Sequence, residues 1–120
     1  MRRRMVLASA VMLAVAGLLY SGAAPAQGTP SEEELVERIQ KGGTAQDHEA
    51  LAALYRSEAD AADKQATDHE SMAKRYASLG GKGDWATHCR NLTSYYRKAA
   101  AEYRTLAEMH TKEAAQQRGK

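Results

Sequence analysis

The sequence predicts an all-α protein: an antiparallel two-helix hairpin with a short N-terminal helix, dimerising into a four-helix bundle. Three observations carry this. A step of seven residues runs twice along the chain, from His48 through Tyr55, Ala62, His69 and Tyr76, and from Cys89 through Tyr96, Tyr103 and His110. With these as position a, position e holds Ala52, Ala59, Ala66 and Ala73, then Thr93, Ala100, Ala107 and Ala114, while Leu51, Met72, Leu79, Leu92 and Leu106 fall at d. A seven-residue repeat on successive helices is the pattern of helices paired along a seam. The second observation is Gly80-Gly81-Lys82-Gly83 between the two copies, a loop short enough to force antiparallel neighbours. The third is a shift of 41 residues that lays Leu51 on Leu92, Tyr55 on Tyr96, Arg56 on Arg97, Ala59 on Ala100, Ala66 on Ala107, His69 on His110 and Ala73 on Ala114. One helical unit used twice explains that agreement.

Taken in order, the chain begins with Arg2, Arg3 and Arg4, an apolar run from Met5 to Tyr20, and small residues ending in Ala24-Pro25-Ala26. That order is the pattern of a secretory signal peptide, residues 1–26, cleaved after Ala26. A membrane anchor is the competing reading, but the apolar run falls short of the roughly 20 residues a spanning helix needs. The expected location is therefore periplasmic or secreted, with no membrane span after cleavage. Losing three arginines takes 17 basic residues to 14 against 15 acidic ones, a formal charge of −1. Such a balance removes the electrostatic case for nucleic acid as a partner.

Residues 27–43 are expected to form a short helix and linker. Thr29, Pro30 and Glu32 suit the N-cap, first and third helical positions of a capping box, Leu35, Val36 and Ile39 form one apolar stripe, and Gly42-Gly43 ends the helix. A helix this short needs a surface to lie on, which one end of the hairpin supplies; a frayed terminal arm is the alternative.

Residues 44–120 make the hairpin domain. Thr44 caps the first long helix, about 45–79, with Asp47 at its positive end; Asp84 is the expected cap of the second, about 85–117. Asp60 with Lys64, Glu70 with Lys74, and Glu108 with Lys112 stand four apart and mark outward faces. Trp85, just after the loop, is placed to cover the hairpin end. Leu, Ile, Val and Phe number only eight between Gln27 and Lys120, a thin core for a chain this small. Self-association into a homodimer is the natural remedy.

The seam's chemistry has two readings. Histidine and tyrosine at a positions hydrogen-bond across the interface and set its register, as single polar residues do in coiled coils. This makes the protein a non-catalytic structural or binding protein of the bacterial envelope, with an envelope protein as a possible partner. In the alternative reading the histidines bind copper or zinc. Equal levels of an antiparallel pair have residue numbers with a constant sum, which groups His48 with His110, and His69 with His88 or Cys89. Met72 lies one turn from His69, so thioether, thiol and imidazole would suit copper or zinc there; His48, His110 and Glu113, with Asp47 nearby, would suit a divalent ion. Cys89 is a buried side chain, an intermolecular disulfide or a ligand, since one cysteine forms no internal disulfide. No nucleophile elbow, phosphate loop or haem attachment motif is present, so no enzyme and no cofactor beyond such a metal is expected.

The pattern His48-x-x-Leu51-Ala52-x-x-Tyr55, Ala66-x-x-His69-x-x-Met72-Ala73-x-x-Tyr76, His88-Cys89-x-x-Leu92 and Ala107-x-x-His110 resembles that of small exported bacterial helical-hairpin proteins. The resemblance implies export and a hairpin fold and brings no activity, ligand or partner with it.

Overall fold

A computed structural model describes residues 28–120; the proposed signal peptide lies outside them. Three helices follow one another, α1 (Glu32–Gln40), α2 (Ala45–Ala77) and α3 (Gly83–Arg118), and among the described residues there is no strand. The long pair α2 and α3 packs side by side as the hairpin, and α1 lies against α2. No helix of the described residues is long and apolar enough to cross a membrane.

Helix α1 starts two residues later than its sequence suggests. Ser31, not Thr29, is the N-cap; its hydroxyl accepts from the Glu34 amide while the Glu34 carboxylate accepts from the Ser31 amide. Both frames offer a hydroxyl followed by a glutamate at the third position, and the later one leaves Glu32 free to reach α2. Gly42 and Gly43 have φ of +113° and +23°, and a Cβ on Gly43 would come within 2.9 Å of the Ile39 backbone, so this turn requires glycine. Thr44 and Asp47 form the same reciprocal cap on α2, and the Thr44 backbone bond is the main reason the Asp47 carboxyl is held below its usual range. Asp84 does not cap α3. That helix begins two residues early, at Gly83, with Lys82 as a cap that lends no side chain, and Asp84 stands in the first turn, where its charge suits the dipole.

The hairpin packs in three parallel rows, each with its own chemistry. Position e is the closest approach: Ala52, Ala59, Ala66 and Ala73 meet Ala107, Ala100, Thr93 and Ala86, all buried, in pairs whose numbers add to 159. Small side chains let two helices of about 50 Å lie close along their whole length. Thr93, the one polar member, is satisfied by the Cys89 and Ala66 carbonyls at 2.9 and 3.3 Å. Beside this row, position b carries the charges. Glu70 pairs with Arg97, Asp63 with Arg104, Glu49 with Arg118, and Arg56 donates to Thr111. The expected ladder within each helix is thus partly replaced by rungs between helices: Asp60 and Glu70 face Arg104 and Arg97, and Lys64 pairs with Asp68. Arginine is long enough to span the alanine row.

On the opposite flank of the alanines lies the aromatic a row. Tyr55 sits between Tyr103 and His110, with ring centroids 6.0 and 5.8 Å away. Tyr96 packs on the Ala59–Ala62 cluster and stacks on His69 at 5.6 Å. Each ring therefore lies between two partner residues seven apart. Each such ring meets one residue at its own level and another one level along the partner helix, so the row is staggered.

Candidate functional site

The two histidine levels expected from the sequence have different fates. At the open end of the hairpin, His48 Nδ1 and His110 Nδ1 lie 2.9 Å apart, with ring centroids 5.2 Å apart and planes tilted by 31°. His48 is buried and His110 half-buried. Two identical nitrogens at that distance need one proton between them, so one ring carries hydrogen on Nδ1 and the other accepts. A second proton would set two N–H groups against each other. Burial first, and then the neighbouring His48, hold the His110 imidazole below its usual value, against the pull of Glu113.

The Tyr55, Asp47 and Glu49 side chains around this pair at the open end are all engaged. Helix α1 buries Leu35 against Leu51, Ala52, Tyr55 and Ala107, with Ile39 alongside. Glu32 at its start accepts from the Tyr55 hydroxyl at 2.9 Å; burial, then this bond, push the phenol up to about 12. Asp47 is held by Thr44 and faces Arg38 at 3.8 Å. Glu49 is clasped by the Arg118 fork, one bond of which is 2.7 Å, and its carboxyl is lowered by that guanidinium.

The loop-proximal level is not assembled in this way. His69 stacks face to face on Tyr96 rather than meeting His88, and its Nδ1 is buried without a hydrogen-bond partner. The reason is the stagger of the a row, which puts Tyr96 beside His69. His88 is exposed, Cys89 is buried as a free thiol, and Met72 is 38% exposed. Among the described residues no three His, Cys, Asp or Glu side chains gather as metal ligands. The sequence-predicted groups His69, His88, Cys89 and Met72, and His48, His110 and Glu113, therefore reduce to one close pair.

A feature of the d row completes the site. Leu51 is 1% exposed because α1 lies over it, whereas Leu106, Met72, Leu92, Trp85 and Leu79 range from 36 to 54%. On this flank a strip of large apolar side chains runs toward the loop, with Tyr95 and Met109 exposed farther around α3. Trp85 meets Tyr76 edge-on at 5.3 Å and takes the Lys82 ammonium over its face at 3.9 Å, which holds the indole on the strip more than it covers the end. The sequence reading named these residues as seam members; the signal that they stay uncovered is the run of small alanines at e, which draws the helices together around e and turns d outward. No family model matches this chain, and no curated protein or solved structure matches it either.

Proposed function

We propose that this chain is an exported, non-catalytic helical protein of the bacterial envelope with a structural or binding role, and that its working surface is the uncovered d strip. Two copies meet across that strip and complete a four-helix bundle. The observation that carries this reading is the asymmetry of the hairpin's two flanks. One flank is closed by ion pairs between the helices and turned to water; the other offers Met72, Leu79, Trp85, Leu92 and Leu106 beside a row of half-buried rings. Exposed apolar side chains gathered on one face, with the d residues Glu58 and Gln65 standing between Leu51 and Met72, mark an interaction surface. Helix α1 supports the same reading from within the molecule, since at the open end it covers the continuation of this strip with Leu35 and Ile39 four residues apart. A helix laid along the seam is the shape that fits, and a second copy supplies two.

In this reading the aromatic a row sets the register of the hairpin, with the His48 and His110 rings fixing the open end through their shared proton. Export is the expectation from the N-terminal sequence. Sedimentation equilibrium of the tag-free chain tests the proposal: the mass should rise toward a dimer with concentration, and Leu92→Glu with Leu106→Glu should hold the chain at monomer mass with its helicity intact. A wild-type mass that stays monomeric up to high micromolar concentration contradicts it.

A further inference from the structure

We infer that the Leu92 face of α3 is a docking site for a short amphipathic helix of a partner protein, one with an acidic first turn and two large aliphatic side chains four residues apart. The hairpin is pseudosymmetric. Its e pairs add to 159, so a shift of 41 residues exchanges the two helices about the level of Ala59 and Ala100. Packing follows this exchange as well as sequence does. Tyr55 lies 5.8 Å from His110, and its counterpart Tyr96 lies 5.6 Å from His69, the counterpart of His110. Tyr55 also stacks on Tyr103, while Tyr96 packs on the cluster containing Ala62, which the exchange puts in place of Tyr103. At the open end this arrangement has an occupant. Helix α1 brings Leu35 and Ile39 to the cluster of Leu51, Tyr55, Ala50 and Leu54, and its first residue, Glu32, accepts from the Tyr55 hydroxyl at 2.9 Å.

Near the loop the equivalent surface is bare. The counterparts of Ala50, Leu51 and Leu54 are Asn91, Leu92 and Tyr95, all exposed, and among the described helices α1 packs on α2 and none packs on this face of α3. An amphipathic helix laid on an apolar face is a common mode of recognition, and charge says which helix. Ser57 and Glu58 line the groove at the start of α1. The exchange puts Lys98 and Ala99 there, losing an acid and gaining a cation where an acidic first turn would lie. A carboxylate in that turn would accept from the Tyr96 hydroxyl as Glu32 does from Tyr55. At the other end of α1, Arg38 faces Asp47 at 3.8 Å, and the counterpart of Asp47 is His88. The site therefore favours an acid there rather than a cation. Trp85 stands at the counterpart of Thr44, in place of the glycine linker that tethers α1, so the occupant arrives from another chain. A second copy would gain nothing by lending its α1, because its own Leu51 would be laid bare. Leu92 also lies on the strip proposed for self-association, so such a helix and a second copy exclude one another there; the docking site itself is complete in one chain.

The probe is a capped synthetic peptide of residues 29–43 carrying Arg38→Glu, titrated into isotope-labelled tag-free chain at a concentration where sedimentation gives the monomer mass. Amide resonances of Asn91, Leu92, Tyr95 and Lys98 should shift and saturate below millimolar peptide. Tyr96→Phe should weaken binding about tenfold, the scale of one hydrogen bond to a carboxylate, and Leu92→Glu should abolish it. Lys98→Glu should weaken it severalfold, and the peptide with Arg38 restored should bind less tightly than the probe. Absence of any saturable shift in the wild-type chain up to millimolar peptide overturns the inference, whatever the variants do. So do shifts centred on Ala50, Leu51 and Leu54, which would mean that the peptide displaces α1 against the millimolar effective concentration of a tethered helix. A chain that never self-associates leaves these readouts unchanged, so this inference and the dimer proposal fail separately.

Discussion

The two ends of this hairpin are built from one repeated unit and finished differently. A shift of 41 residues lays His48 on Cys89 and His69 on His110, so the close pair at the open end and the residues His69 and Cys89 near the loop are counterparts. At the open end both partners are imidazoles long enough to meet, and they do so at 2.9 Å beside the Leu51–Tyr55 cluster that α1 covers. Near the loop a thiol stands where His48 stood, and the His69 Nδ1 has no partner. The same contrast runs through the d row, where Leu51 is 1% exposed and its counterpart Leu92 is 39% exposed. One helical repeat can thus be covered in cis at one end by an added short helix and left exposed at the other.

The largest expected effect breaks this comparison at its apolar positions. Leu51→Ala removes a side chain packed against Leu35, and it should destabilise the chain by about 3 kcal/mol. In dilute solution Leu92→Ala should cost about 1 kcal/mol, as a half-exposed site does. Urea unfolding of the two variants measures the gap, and equal losses would mean that the two ends are covered alike. Next comes the polar pair. His110→Ala leaves the buried His48 Nδ1 without its partner, for about 1–3 kcal/mol, whereas His69→Ala removes a ring whose Nδ1 already had none and forfeits a stack worth about 1 kcal/mol or less.

A smaller effect separates the ends by pH. The His110 imidazole binds its proton less readily in the folded chain than in the unfolded one. Its contribution to stability is therefore present above the ordinary histidine value of about 6.5 and is lost as pH falls through the lower folded value. Thermal melts of chelator-treated protein between pH 7 and pH 5 should show Tm falling with acidification, and His110→Ala should flatten that slope. The lowered carboxyls of Asp47 and Glu49 act in the same direction only at more acidic pH, which keeps the two contributions apart.

Much of this architecture was legible in the sequence, for physical reasons that can be named. The small residues of the e row, alanine at all but Thr93, and the glycine loop specify a close antiparallel pair without reference to anything outside the chain. Thr44 and Asp47 announce their cap because the capping box is local. His48 and His110 were placed at one level by number alone. What was not legible depended on stagger and reach. Whether His69 meets His88, Cys89 or Tyr96 turns on about one helical turn of slip, which the seven-residue step leaves open. The cross-helix rungs from Arg97, Arg104 and Arg118 were hidden behind pairs four apart within a helix, although the b positions Glu49, Arg56, Asp63 and Glu70 repeat every seven residues and carry the signal. That the d row faces outward follows from the size of the e residues, which draw the helices together along e.

The chain carries one tryptophan, and it stands on the strip: Trp85 is 51% exposed among the d residues. Its emission as a function of protein concentration reads directly whether a second copy covers that surface. The expected result is a shift to shorter wavelength with falling acrylamide quenching as concentration rises, absent in Leu92→Glu with Leu106→Glu. An emission maximum and quenching constant that stay fixed across the whole range, with wild type and variant alike, would contradict the assignment of the strip as the surface where two copies meet.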